Sequence, residues 1–275
     1  MNRIIVENNE AAEAGLLGRY AQESEMPTQI NDDTLVLSSS GSVLIAYWRR
    51  VVNTQSMKSL LRSVQFGSCR RMSKEAAFDS TSTPFGYKPR VHQRWQPCKV
   101  ATLMVDQPAV AEVLVEWTKR IMHCYADCNP ALAASHAAKA ANIRPDYKIG
   151  DTVFTSGIIN RSSQLPYHFD RGNFEGAWSA MIGIQDGVSG GRLNIPRYGL
   201  SLDIADGSLT MFDGQAALHG VTPIQRNGND SAHRYTLVWY SLKGMWKCVT
   251  TEEELARVNA STSAGNRRKA KLPPA

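Results

Sequence analysis

The segment Arg234–Leu242 (Arg-Tyr-Thr-Leu-Val-Trp-Tyr-Ser-Leu) is dense in aromatic and β-branched residues, which favour a pleated, half-buried strand. It closes a run of similar short segments. Val153–Ile159, Trp178–Ile184, Arg192–Pro196, Leu200–Ile204 and Ser208–Phe212 each read as a strand. Turn dipeptides follow several of them: Asp186-Gly187, Asp206-Gly207 and Asp213-Gly214. Short strands at about ten-residue spacing predict a two-sheet sandwich or jelly roll. The fold class read from this is α+β with a mainly β core, a double-stranded β-helix supported by N-terminal helices.

Helical spacing is clearest at 108–126, where Val110, Val113, Leu114, Trp117, Ile121 and Tyr125 share a stripe behind Pro108. Residues 131–142 are alanine-rich and read as a second helix, and 53–66 as a short one. Residues 34–49 read as a hairpin, the Ser- and Thr-rich 67–84 as a loop, and Phe85–Arg90 as a compact turn. Thr251–Glu254 reads as a capping box opening a short last helix, with a disordered basic tail beyond. Three regions are expected: an N-terminal extension packing on the core (1–80), a catalytic domain (81–258) and a flexible tail (259–275).

No apolar run approaches the length of a membrane span, so no membrane partner is expected. The five scattered cysteines read as reduced thiols. A cytoplasmic monomer is expected, or a nuclear one in a eukaryote. His123, Cys124, Cys128 and His136 match no common zinc spacing and read as core residues. Net charge is +6, with Arg62, Arg70, Arg71, Lys74, Lys88, Arg90, Arg94 and Lys99 crowded together. That cluster fits a polyanion or an ordinary solvated face.

His168 and Asp170 stand two residues apart, so on extended backbone they share a face. They supply two thirds of a 2-His-1-carboxylate Fe(II) site, although an ordinary polar loop also accounts for such a pair. His219 follows a strand and a turn and suits the third ligand position; a buried structural histidine is the other reading. Arg234 heads the strongest strand. A buried arginine there needs an anion, and its planar fork fits the distal carboxylate of 2-oxoglutarate; a rim ion pair is the alternative. Thr236, on the same face, offers a hydroxyl to that carboxylate.

Taken together, H-F-D-R-G-N at 168–173, G-G-R-L-N-I-P-R-Y-G at 190–199, D-G-S-L-T-M-F-D-G at 206–214, H-G-V-T-P at 219–223 and R-Y-T-L-V-W-Y at 234–240 resemble the TET/JBP group of Fe(II)/2-oxoglutarate DNA dioxygenases. P-F-G-Y-K-P-R at 84–90 extends the resemblance to about 84–244. It implies that His168, Asp170 and His219 hold iron, that Arg234 and Thr236 bind 2-oxoglutarate, and that O2 is the co-oxidant. It implies further that Asn173 hydrogen-bonds a flipped pyrimidine. Asn160 and Arg161, at the end of the preceding strand, are expected to line the site. The implied substrate is the 5-methyl group of 5-methylcytosine in DNA, oxidised to 5-hydroxymethylcytosine with release of succinate and CO2. Thymine in DNA is the alternative, and a prolyl-hydroxylase-like oxygenase of another substrate the more distant one.

Overall fold

The strand expected at 234–242 runs His233–Tyr240, and its alternation separates two cores. Tyr235, Leu237 and Trp239 face a helical layer, whereas Thr236 and Val238 face the interior of a barrel. The computed structural model describes residues 1–72, 77–90, 97–228 and 231–270, with side chains for all of these but 71–72 and 261–270.

In chain order the N-terminal part supplies β1 (Asn2–Val6), β2 (Thr28–Ile30), β3 (Thr34–Ser38) and β4 (Val43–Trp48). The predicted hairpin at 34–49 is β3–β4. Helix α1 (Gln55–Leu61) follows, and then the expectation of a loop and turn fails at 67–72 and 77–88. Those residues form β5 (Gly67–Met72) and the long β6 (Ala77–Lys88), paired antiparallel. Phe78, Ser80 and Ser82 are buried while Ala77, Asp79 and Thr81 are exposed. The strand period is therefore present, but serines carry most of it and hydropathy does not register it. Gly86 lies within β6 at φ +71°, paired with Ser156, so the glycine that signalled a turn sits inside a strand.

After β7 (Lys99–Val100) come α2 (Thr102–Asp106), α3 (Pro108–Cys128) and α4 (Pro130–Ala140). The remaining strands are β8 (Ser156–Arg161), β9 (Ser179–Asp186), β10 (Val188–Gly190), β11 (Leu193–Ile195), β12 (Leu200–Leu202), β13 (Leu209–Phe212), β14 (Gly220–Val221), β15 (Ile224–Arg226) and β16 (His233–Tyr240). Helix α5 (Thr251–Ala270) closes the described chain.

The major sheet has ten strands in the order β1-β3-β4-β13-β9-β16-β8-β6-β5, with β7 on β6. A four-stranded sheet, β14-β11-β12-β2, faces it. Met181, Phe212, Ile45 and Tyr47 meet Leu193, Ile195, Leu200 and Leu202 between the two sheets. This is a double-stranded β-helix of mixed α+β class, as the strand spacing predicts. On the other face of the major sheet, Val110, Leu114, Trp117, Ile121 and Tyr125 of α3 cover Ile182, Leu237 and Trp239. Each such side chain contributes about 1.5–3 kcal/mol by leaving water. The Trp239 indole donates to Thr118 Oγ1 at 2.8 Å, fixing the helix on the sheet. Strands β1, β3 and β4 belong to the same hydrogen-bonded sheet as β8, and β6 runs across position 80.

Cys98 and Cys248 form a disulfide, which corrects the reading of five free thiols. Their separation of 150 positions in sequence hides the adjacency. Beside the bridge, Glu254 is 1 % exposed and accepts from Arg90, Cys98 N–H and Val249 N–H. The capping box is therefore one residue earlier than expected: Thr250 and Glu253 exchange the capping bonds, and Glu254 faces inward. The tail expected to be disordered is helical as far as Ala270.

His136 of α4 sits among Tyr125, Phe154 and Phe174. Ser241 gives its hydroxyl proton to Val153 O, so the His136 Nε2–H donates to Ser241 Oγ at 2.8 Å, and Nδ1 has no partner. Burial pulls its pKa down to about 4. Between pH 6.5 and 4 the unfolded chain binds a proton that the folded chain refuses, so stability falls on acidification. At pH 4.5 this costs roughly 2–3 kcal/mol relative to pH 7. Urea unfolding of wild type and His136→Gln at both pH values checks it: the variant should lose that much less, and equal losses would exclude His136 as the source.

Candidate active site

The HFD segment and His219 meet as a short antiparallel bridge. His168 N–H donates to His219 O at 2.9 Å, and His219 N–H donates to His168 O at 3.1 Å. The rings lie 4.3 Å apart between centroids. Each Nδ1–H donates to a backbone carbonyl two residues earlier, Pro166 O at 2.8 Å and Ala217 O at 3.0 Å. A donor on Nδ1 leaves the Nε2 lone pair facing out, the tautomer that a metal requires. Asp170 Oδ1 lies 3.9 Å from both Nε2 atoms. The three ligand atoms all fall within 4.8 Å of one another, so one metal ion could bridge them.

Asp170 is held from behind. Its N–H donates to Gly214 O at 2.9 Å. Its outer oxygen, Oδ2, is 3.4 Å from both Ser179 Oγ and Asn173 Nδ2, and Asn173 Nδ2 donates to Ser179 at 3.1 Å. A Cβ on Gly214 would stand 2.5 Å from Oδ2, so only glycine lets the carboxylate approach this closely. Ser179 and Gly214 were not anticipated. Ser179 had a signal: it is a polar residue at an inward position of an apolar strand. Gly214 was read only as a turn residue.

The ligands open onto a cavity of about 250 Å³. Asn160, Thr236, Met181, Val238, Phe212 and Asn173 are among its walls. Phe78 of β6 stands edge-on to the His168 ring, 5.0 Å between centroids. Asn160 Nδ2 donates to Thr236 Oγ1 at 3.1 Å, joining two residues expected at the site. Arg161 is not a lining residue: it turns to His233 and lies over the Phe66 ring, outside the cavity. Adjacent strand residues face opposite sides, so Asn160 facing in turns Arg161 out.

Arg234 is 2 % exposed and packs beneath Gly191, where a Cβ would stand 2.6 Å from Nε. Its Nη2 donates to Gly191 O at 2.5 Å, while among the described residues Nε has no partner and no carboxylate pairs with the group. Burial lowers its pKa to about 10, so it is charged at neutral pH. A buried guanidinium with an orphaned donor is a receptor for an anion. The neutral-tautomer imidazoles and this arginine fit a metal and a dicarboxylate respectively.

The basic cluster is partly committed elsewhere. Arg62 pairs with Asp186 and Arg90 with Glu254; Arg70 and Lys99 are exposed. Lys74 and Arg94 lie outside the described residues, as does the side chain of Arg71.

Residues 91–243 match the TET/JBP family, described as the oxygenase domain of the 2OGFeDO superfamily, and the chain belongs to it. It is an enzyme of the 2-oxoglutarate/Fe(II) dioxygenase superfamily, whose cofactors are Fe(II), 2-oxoglutarate and O2. The bifunctional helicase and thymine dioxygenase JBP2 of Trypanosoma cruzi (strain CL Brener) is 25 % identical over 115 residues, 42 % of this chain and 10 % of that protein. The matched stretch is thus about a tenth of that relative's length. The fold resembles that of NgTET1, solved in complex with 5mC DNA, at a TM-score of 0.61 and 13 % identity over 94 % of this chain and 91 % of the other.

Proposed function

We propose that this protein is an Fe(II)- and 2-oxoglutarate-dependent dioxygenase that oxidises the 5-methyl group of 5-methylcytosine in DNA to 5-hydroxymethylcytosine, releasing succinate and CO2. The observation that carries the reading is the pairing of the His168/Asp170/His219 triad with the buried Arg234, whose Nε has no partner among the described residues. The pair offers one site for a metal and one for a dicarboxylate cosubstrate.

The geometry supports an assignment for each residue. His168 and His219 present Nε2, and Asp170 presents Oδ1 with its negative charge. Arg234 binds the distal carboxylate of 2-oxoglutarate, with the Thr236 hydroxyl, oriented by Asn160, beside it. Bound there, Fe(II) with 2-oxoglutarate and O2 supplies the oxidising power to hydroxylate an unactivated C–H bond. Met181, Val238 and Phe212 keep that volume apolar and exclude water. His168 and His219 are 5 % and 7 % exposed, so a base inside a duplex cannot reach them and must be flipped out. Asn173 lines the cavity beside Asp170 and is the amide we assign to the polar edge of the pyrimidine.

DNA as substrate is supported by the complex of NgTET1 with 5mC DNA. Thymine remains a second reading because JBP2 is a thymine dioxygenase. Both are tested by incubating methylated and unmethylated DNA with Fe(II), 2-oxoglutarate and ascorbate, followed by nucleoside mass spectrometry. 5-Hydroxymethylcytosine is expected from methylated DNA. 5-Hydroxymethyluracil from either DNA would favour thymine, and neither product alongside intact succinate release on another substrate would overturn both.

A further inference from the structure

The residues just before the two histidine ligands are both fastened by one N-terminal segment, which lies outside the part of the chain that matches the family. Tyr167 precedes His168. Its N–H donates to Arg19 O at 2.7 Å, and its carbonyl accepts from Gly18 N–H at 2.8 Å. Leu218 precedes His219, and its N–H donates to the Glu13 carboxylate, Oε1, at 2.9 Å. The same carboxylate takes both prongs of Arg197, at 3.0 and 2.9 Å, and is 10 % exposed. Leu16, Leu17 and Phe169 pack on a buried cluster of Ala21, Tyr167 and Leu218. Beyond it, the Tyr167 hydroxyl donates to Glu25 at 2.7 Å.

Besides the paired bonds of His168 and His219, the two ligand segments are joined by Val221 N–H to Leu165 O and Asp170 N–H to Gly214 O, each at 2.9 Å. At Tyr167 and Leu218 the N-terminal segment adds its own bonds to each ligand segment. Glu13 holds one side, and Gly18 and Arg19 hold the other. A shift of Leu218 is transmitted directly to His219 and to the Ala217 carbonyl that sets its tautomer. The Glu13 charge is met by Arg197, so the carboxylate serves as an acceptor for Leu218 without leaving an unpaired anion beside the ligands.

We propose that Glu13–Ala21 is a clamp that sets the spacing of His168 and His219, with Glu13 as its positioning residue, and that metal affinity depends on it. The inference rests on the metal-site reading above. It is tested on the full chain with Co(II) alone, reading affinity by titration and ligand geometry from the visible d–d spectrum. Glu13→Ala should weaken Co(II) binding about tenfold or more and alter the spectrum, the range typical of outer-shell changes. Glu13→Gln keeps an acceptor for Leu218 N–H and should retain most of the affinity. Met57→Ala, a cavity in the opposite core, controls for stability loss and should leave both readouts unchanged. Wild-type affinity and spectrum in Glu13→Ala would overturn the clamp alone, as would equal losses in Glu13→Ala and Met57→Ala. No Co(II) binding by the wild type would overturn the metal site itself.

Discussion

Asp170→Ala should abolish Fe(II) binding and oxidation while leaving the fold intact. Asp170 is the carboxylate of the triad, and its Oδ1 is equidistant, at 3.9 Å, from the two Nε2 atoms. Without it only two imidazoles of the triad remain, and no triad carboxylate offsets the charge of a divalent ion in a buried site. The loss in affinity should exceed the roughly 10–100-fold of an outer-shell change. The fold should survive because the segment stays anchored by backbone bonds: residue 170 N–H to Gly214 O, and the His168–His219 exchange. Anaerobic Fe(II) titration with circular dichroism on the same samples checks this. Wild-type affinity in the variant would remove Asp170 from the site.

Arg234→Met should move two readouts in opposite directions. The cosubstrate-free protein holds an unpaired buried guanidinium, which is costly, and an apolar side chain of similar length relieves that cost. Stability in the absence of 2-oxoglutarate should therefore hold or rise by about 1 kcal/mol. Affinity for 2-oxoglutarate should fall by about a hundredfold, since a charge-assisted two-pronged contact contributes several kcal/mol in a buried site. Thermal unfolding with and without 2-oxoglutarate separates the two: the wild type gains stability from the ligand and the variant does not. A variant that is much less stable yet still stabilised by 2-oxoglutarate would mean that the arginine is structural.

What could be read from the sequence depended on how each feature is encoded. The inward register of Thr236 was legible because β16 alternates cleanly; Arg234 shares its strand face but is not among the cavity walls. The same alternation, applied one strand over, separates Asn160 from Arg161, and reading both as lining residues ignored it. Strands β5 and β6 were missed because Ser80 and Ser82 occupy buried positions usually held by apolar side chains. The Cys98–Cys248 bridge and the Arg90–Glu254 pair join residues 150 and more apart, and no local pattern encodes such contacts. The His168, Asp170 and His219 group was legible as types and spacing. Their support was not: Ser179, Gly214 and Glu13 act through position alone.

The order of strands in the major sheet has a consequence for what counts as a unit. Residues 91–243 carry the likeness to the family, yet in the sheet β13, β9, β16 and β8 are flanked by β4 on one side and β6 on the other, both from before residue 91. Excised at the limits of similarity, that block would bare two raw sheet edges and lose Phe78, the wall beside His168. The stretch that matches the family is therefore smaller than the stretch that completes the sheet.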